Sequence, residues 1–245
     1  MTIQRRRYIL NFRKPDFRIF SQKGAIVRTV ILTFDDAVIS QYTNVAPLLK
    51  ELSFGATFFI CRFDDEWRKK NEQYLMTPEQ LRQLDRDGFE IANHTWNHIL
   101  LTECQEDVIE QEIVLMNKYF MDNGIPAPVS FAYPGGPFAK NAVEVLKRHN
   151  FLCARSVRNE AYHPATDDCM KLPAFSICGN DPDFFRNAIA QADDENPVIL
   201  VFHGVPEYVH PWVNLEMSLF REYMHLLKEG NYRVCSLRDW FQKSR

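Results

Sequence analysis

The amino-acid sequence predicts an α/β fold built on a parallel sheet that closes, or nearly closes, into a barrel. Three observations carry this. Apolar, charge-free runs alternate with stretches of helical periodicity about seven times along the chain, and parallel neighbours need such crossovers. The apolar runs are continuous rather than alternating, as in strands buried on both faces. The length of 245 residues also suits one continuous α/β barrel, a unit that typically runs to about 250 residues. An open, doubly wound parallel sheet is the other arrangement this alternation allows.

In order, residues 27–34 are apolar and β-branched and read as the first strand. Val45, Leu48, Leu49 and Leu52 recur at helical spacing, and Gly55 ends that unit. Residues 56–61 form a second strand. Thr77-Pro78-Glu79-Gln80 is a helix start, with Thr as cap, Pro in the first turn and Gln closing a capping box. Leu81 and Leu84 continue that helix and Gly88 stops it. Residues 89–92 are a third strand. Thr102 and Gln105 suggest a second capping box before a helix striped by Ile109, Ile113, Met116 and Phe120, which Gly124 and Pro126 end. Residues 129–132 make a strand, followed by a Pro/Gly-rich turn and a helix over 141–149. Residues 153–156 are a fifth strand. Residues 157–174 form a long loop, a feature that tends to carry function. After a short strand over 175–177, Asp181-Pro182 caps a helix running to Ala192. Residues 198–202 are an unbroken apolar strand. Met217, Phe220, Met224 and Leu227 stripe the next helix, and a last strand over 232–234 and a helical turn over 236–240 close the chain. No interior linker or repeat interrupts this order, so the expected organisation is an N-terminal arm over 1–26 and a single domain over 27–245.

Composition removes several function classes. The formal net charge of −3 provides no global field for nucleic acid or anionic lipid, and Arg5-Arg6-Arg7 reads as part of a solvated arm. No apolar run approaches the roughly 18 residues of a membrane span. Residues 8–13 are too short and polar for a signal core. The expected compartment for the chain as given is the cytoplasm, or an extracytoplasmic one if a leader has been removed. The six cysteines contain no C-x-x-C pair and read as buried free thiols, with disulfides as the second reading, rather than as a zinc cluster.

The chemistry lies at strand ends, where β/α barrels gather their functional groups. The first strand runs into Asp35-Asp36. A helix cap explains one Asp, whereas two adjacent carboxylates are better explained by a metal or a shared proton. His94 and His98 follow the third strand, and their spacing lets both imidazoles face one way on a helical turn. Either could also be a surface residue. His203 ends the 198–202 strand, followed by Gly204; a packed core histidine is its plain alternative. Residues 131–137 are a turn or a source of backbone N–H groups near a reacting oxygen. Together, one Asp and two His would occupy three positions on an ion and leave room for water, with the second Asp and third His as base and acid.

On these residues the chain resembles the polysaccharide deacetylases, the NodB-homology group also called carbohydrate esterase family four. Thr33-Phe34-Asp35-Asp36-Ala37 matches the first motif, T-F-D-D-G, and His94-Thr95 with His98 matches H-[ST]-x-x-H. Val201-Phe202-His203 matches the apolar-x-His motif near the C-terminus. The resemblance runs over residues 27–240 and implies a distorted (β/α) barrel of about seven parallel strands. It implies Asp36, His94 and His98 as holders of one divalent metal, with zinc first and cobalt, nickel, manganese or iron fitting the same donors. It implies Asp35 as general base, His203 as general acid, and Gly135 as oxyanion donor, with Tyr133, Pro134 and Trp212 also placed at the substrate. The implied reaction is removal of an N-acetyl group from an amino-sugar or polysaccharide, with no nucleic-acid partner. A non-catalytic carbohydrate-binding relative and a hydrolase of a small non-sugar amide on the same fold are the alternatives. Two departures stand out. Ala37 replaces the usual Gly and would strain a positive-φ turn by around 1 kcal/mol. Ala132 stands where many members carry the Arg that pairs with the base, leaving Arg155, Arg158 or Lys171 to supply the charge. The fourth motif is unplaced, with Trp212 or Tyr208 as wall candidates. His210-Pro211-Trp212 reads as a rim element or a helix entry, and His149, His163 and His225 as surface or structural.

Overall fold

A computed structural model describes residues 27–243. The arm over 1–26, with Arg5-Arg6-Arg7, lies outside the described residues, as do residues 244 and 245. The strands are β1 (Thr29–Phe34), β2 (Thr57–Ile60), β3 (Glu90–Asn93), β4 (Ser130–Ala132), β5 (Cys153–Arg155), β6 (Phe175–Ser176), β7 (Val198–Phe202) and β8 (Arg233–Cys235). The helices are α1 (Ala46–Leu52), α2 (Asp65–Asn71), α3 (Pro78–Arg86), α4 (Glu106–Asp122), α5 (Lys140–Arg148), α6 (Pro182–Ile189), α7 (Met217–Glu229) and α8 (Leu237–Lys243). No helix among the described residues is long and apolar enough to cross a membrane.

Every strand pairing is parallel, in the order β5-β4-β3-β2-β1-β7-β6, with β8 also on β1. The path curls until its ends meet. Arg155 bridges Leu172 in parallel, Leu172 N–H donates to Ala154 O at 2.9 Å, and Ser156 N–H donates to Leu172 O at 2.8 Å. The same segment continues into β6, where Phe175 and Ser176 pair with β7. The ring therefore closes through one thin bridge, giving a distorted (β/α) barrel. One edge of β1 is shared: β8 pairs with Thr29–Ile31, and β2 with Thr33 and Phe34. β8 is thus wedged in beside β2 at the base.

Alternation along each strand explains the unbroken apolar runs. On β1, Val30, Leu32 and Phe34 belong to the outer core beneath the helices, where Phe34 stacks on Phe58 and Phe202. Ile31 belongs to the inner cluster with Phe59, Ala92, Ala132, Ile199 and Val201. All six β1 residues are buried, so both faces must be apolar until the strand ends.

Helix starts follow local chemistry. Thr77 and Gln80 exchange both capping-box hydrogen bonds, and Asp181 accepts from Phe184 N–H. The second expected capping box does not form. Residues Leu101–Glu103 make a separate short helical turn, so Thr102 lies inside it and α4 starts from Gln105 without a side-chain cap. Helix α2 has no buried residue. It leaves no apolar stripe in the sequence to announce it, although Asp64 caps it by accepting from Trp67 N–H.

Candidate active site

The last inward positions of four strands meet at one end of the barrel. Past β1, Asp35 N–H still donates to Phe202 O at 2.9 Å, which keeps it in the ladder. The chain then turns sharply through Asp36 (φ 73°) and Ala37 (φ 55°), both in the left-handed region. Such a conformation costs about 1–2 kcal/mol for a residue with a side chain. The Ala37 methyl offsets part of this by packing in the outer core. The Gln41 side chain donates to both Asp35 O and His203 O, tying the ends of β1 and β7 together. Both carboxylates are buried; they share His94, whose Nε2 lies 3.8 Å from Asp35 Oδ2 and 3.6 Å from Asp36 Oδ1, and otherwise face different partners.

Asp36 faces imidazoles. Its Oδ1 lies 3.3 Å from His98 Nε2 and 3.6 Å from His94 Nε2, and the three ligand atoms lie within 4.8 Å of one another. The histidines converge by a different route from the helical turn expected from their spacing. Residues 94–98 form a loop, bent by positive φ at Thr95 (68°) and His98 (56°). Asn93 Oδ1 accepts from Thr95 N–H at 2.8 Å, and the buried Glu112 of α4 accepts from both Asn97 N–H and its side-chain amide. His94 Nδ1–H donates to Ala132 O at 2.8 Å, leaving Nε2 bare toward Asp36. Burial pushes the His94 pKa down to about 4, so its ring is neutral at neutral pH. Burial alone would raise the Asp36 carboxyl, but the surrounding imidazoles, His98 foremost, hold it far below the usual range. A carboxylate beside two imidazole nitrogens, one of them fixed by its hydrogen bond to Ala132 O, is a donor set that fits a divalent ion.

Asp35 faces Arg155. The guanidinium Nη2 lies 2.6 Å from Asp35 Oδ1 and 2.5 Å from Oδ2, and both side chains are buried. Arg155 ends β5, and its register partner on β4 is Ala132. The charge absent at position 132 is therefore supplied from the neighbouring strand at the same level. The other two candidates are engaged elsewhere, Arg158 with Glu160 and Lys171 with Asp168.

His203 Nε2 lies 3.9 Å from Asp36 Oδ2, and His210 Nδ1 lies 3.5 Å from the same oxygen. The loop between them is organised by Glu207, whose carboxylate accepts from the backbone N–H groups of Gly204, Tyr208, Val209 and His210. Read from sequence only as part of a rim element or a helix entry, His210 precedes the short helical turn Pro211–Val213 and faces Asp36.

These residues line a cavity of about 280 Å³ whose wall also includes Gly135, Gly136, Val157, Ser176, Val201, Trp212 and Val213. Of the residues expected at the substrate, Gly135 and Trp212 reach it. Tyr133 and Pro134 are not in its wall: Tyr133 is fully buried, and its hydroxyl donates to Met170 O at 2.9 Å, so that side chain serves the core. Tyr208 stacks on Tyr74. The Cys61 thiol lies 3.7 Å from Asp36 Oδ1, with its pKa pushed well up by burial and by the charges of Asp36 and Asp35. His149 pairs with Glu110, and His163 hydrogen-bonds Asn196, both away from the cavity.

The polysaccharide deacetylase family matches residues 23–154, more than half of the chain, from ahead of β1 to within β5. The chain belongs to the polysaccharide deacetylase family. A peptidoglycan-N-acetylglucosamine deacetylase of Bacillus cereus is 33% identical over 110 residues, covering 44% of this chain and 47% of the relative. A poly-beta-1,6-N-acetyl-D-glucosamine N-deacetylase of Staphylococcus aureus is 24% identical over 163 residues, covering 62% of this chain and 56% of the relative. The chain thus spans about half the length of the curated relatives it matches. Among solved structures, a carbohydrate esterase family four pseudoenzyme from Bacillus anthracis superposes with a TM-score of 0.61 at 17% identity, covering 88% of this chain and 66% of that one. This likeness supports the barrel of the deacetylase family and says nothing of turnover.

Proposed function

We propose that this deacetylase-family protein hydrolyses an N-acetyl group on an amino-sugar of a glycan, with one divalent ion, zinc first, held by Asp36, His94 and His98. The observation that carries this reading is the convergence, in one cavity, of that donor set with the Asp35–Arg155 pair and His203. The likeness to a peptidoglycan-N-acetylglucosamine deacetylase and to a poly-beta-1,6-N-acetyl-D-glucosamine N-deacetylase supports the substrate class.

When bound, the ion would supply Lewis acidity to the amide carbonyl and lower the pKa of water toward about 7. The remaining work falls to the chain. Asp35, oriented by the Arg155 guanidinium on both of its oxygens, takes the proton of the attacking water as the new C–O bond forms. Gly136 N–H is occupied by Tyr133 O at 2.9 Å, so Gly135 N–H is the donor this turn offers to the developing oxyanion. His203 then gives a proton to the leaving nitrogen as the C–N bond breaks, releasing acetate and the free amine. Val157, Val201 and Val213 bound the apolar side of the cavity, where an acetyl methyl fits.

The test is acetate release from a panel of N-acetylated oligosaccharides, with chelator and with zinc restored. Chelator is expected to abolish release, and zinc to restore it. Asp35→Asn is expected to keep the ion but lose turnover by roughly 10²–10⁴-fold, the usual size of a general-base contribution. Full activity in Asp35→Asn would remove the base assignment. Tight glycan binding without release under any condition would favour a non-catalytic, carbohydrate-binding protein.

A further inference from the structure

The Asp36 carboxylate divides four imidazoles between its two oxygens. Oδ1 faces His94 and His98, and Oδ2 faces His203 and His210. The nearer of the second pair is His210, with Nδ1 at 3.5 Å.

His210 is held in place from several sides. Its ring stacks on Trp67 at 5.5 Å and 16°, and it lies against Phe63 at 5.9 Å and Trp212 at 5.2 Å. Its own backbone N–H is one of the four that Glu207 gathers, and Glu207 is itself buried. Asn214 Oδ1 in turn accepts from Glu207 N–H at 2.8 Å. The loop after β7 therefore does more than carry His203 out of the barrel. It returns a second imidazole to the same carboxylate, with little freedom left in the ring.

A carboxylate that offers one oxygen to an ion must have its other oxygen occupied, or it can rotate about its terminal torsion. Outer partners of this kind fix ligand orientation, and their loss typically weakens metal affinity by about 10–100-fold. Oδ1 is turned toward the two histidines that would share the ion, with the Cys61 thiol beside it. Oδ2 is turned away from them, toward His203 and His210.

We propose that His210 is a positioning residue for the metal centre: its Nδ1–H holds Asp36 Oδ2 so that Oδ1 is presented between His94 and His98. The inference rests on the metal-binding reading above and names a residue that reading does not use.

The test compares wild type, His210→Ala and His210→Asn, the last keeping an N–H donor near the Nδ1 position. Zinc affinity is measured on the full chain by competition against a chromophoric chelator, and the melting temperature is measured without metal. The expected result is a 10–100-fold weaker zinc affinity in His210→Ala, largely restored in His210→Asn, with metal-free melting temperatures alike. Unchanged zinc affinity in His210→Ala would overturn the proposal and leave the metal reading standing. Equal weakening in both variants, tracking a lower metal-free melting temperature, would overturn it in favour of a packing role. A wild type that binds no divalent ion would remove both readings at once. Zinc binding that depends on His210 without acetate release would keep this inference and remove only the catalytic one.

Discussion

Arg155 shows how a single side chain can move between strands and keep its task. Ala132 and Arg155 are register partners on neighbouring parallel strands, and both face the barrel interior. The guanidinium reaches Asp35 from position 155 as it could from 132, because the two Cα atoms sit at the same height. The pair is buried, so neither partner is tolerable alone. Removing one member of a buried ion pair costs about 3–5 kcal/mol, because the other is left desolvated and unpaired. Arg155→Ala is expected to lose stability of that order in urea unfolding, and Arg155→Met with Asp35→Asn to recover much of it. A loss under about 1 kcal/mol in the single variant would show that the pair is not desolvated in solution.

At the scale of elements, the opposite end of the barrel carries its own polar layer. Thr57 of β2 donates to Glu90 Oε2 of β3 at 2.7 Å, and the same oxygen accepts from Arg238 N–H of α8. Thr57 Oγ1 also accepts from Leu237 N–H at 2.9 Å. This network pins the start of α8 under β2 and β3. Burial pushes the Glu90 carboxyl above its ordinary 4.5, against the pull of its hydrogen bonds. The folded protein therefore holds that proton more tightly than the unfolded chain. Its contribution to stability is present below pH 4.5 and is lost as pH rises through the folded value. Glu90→Gln is expected to match wild type near pH 4 and to gain on it as pH rises. Urea midpoints across that range check this, and parallel curves would contradict it. The cap of α3 is a simpler case. The Thr77 hydroxyl accepts from Gln80 N–H while the Gln80 side chain accepts from Thr77 N–H, so Thr77→Ala, which removes the first bond, is expected to cost about 1 kcal/mol in the same assay.

At the scale of the whole molecule, the candidate metal site joins parts of the chain that the sheet holds separately. Asp36 follows β1 and the two histidines follow β3, with β2 between them. An ion bound there would bind the folded chain and not the unfolded one. At about 100 times its dissociation constant it would add about 2.7 kcal/mol. Zinc is expected to raise the melting temperature by several degrees, and chelator to reverse the shift. His94→Ala should abolish the shift. A rise that survives His94→Ala would place the binding elsewhere.

Much of this protein was legible as sequence because burial leaves a local record. The runs over 27–34 and 198–202 are apolar on both faces, since strands inside a ring of helices have no wet side. The three proposed metal ligands and the two proposed proton-transfer residues stand at the ends of such runs, where polarity begins abruptly. Helix α2 leaves no such record, because none of its residues is fully buried and Trp67 alone does not make a stripe. The loop over 94–98 departs from the helical turn its spacing suggests because its shape comes from Glu112 and from positive φ, which spacing does not encode. Tyr133 was placed near the substrate by its motif, and only packing showed its hydroxyl turned to Met170.

The order of the strands and of every helix but α2, and the residues whose chemistry suits a metal, can be read from the amino-acid sequence, because periodicity and residue type are local properties. The tertiary structure alone decided which of Arg155, Arg158 and Lys171 meets Asp35, and it alone brought His210 to Asp36. Those contacts span 120 and more residues of chain, and they depend on strand register and ring closure, which no local pattern records.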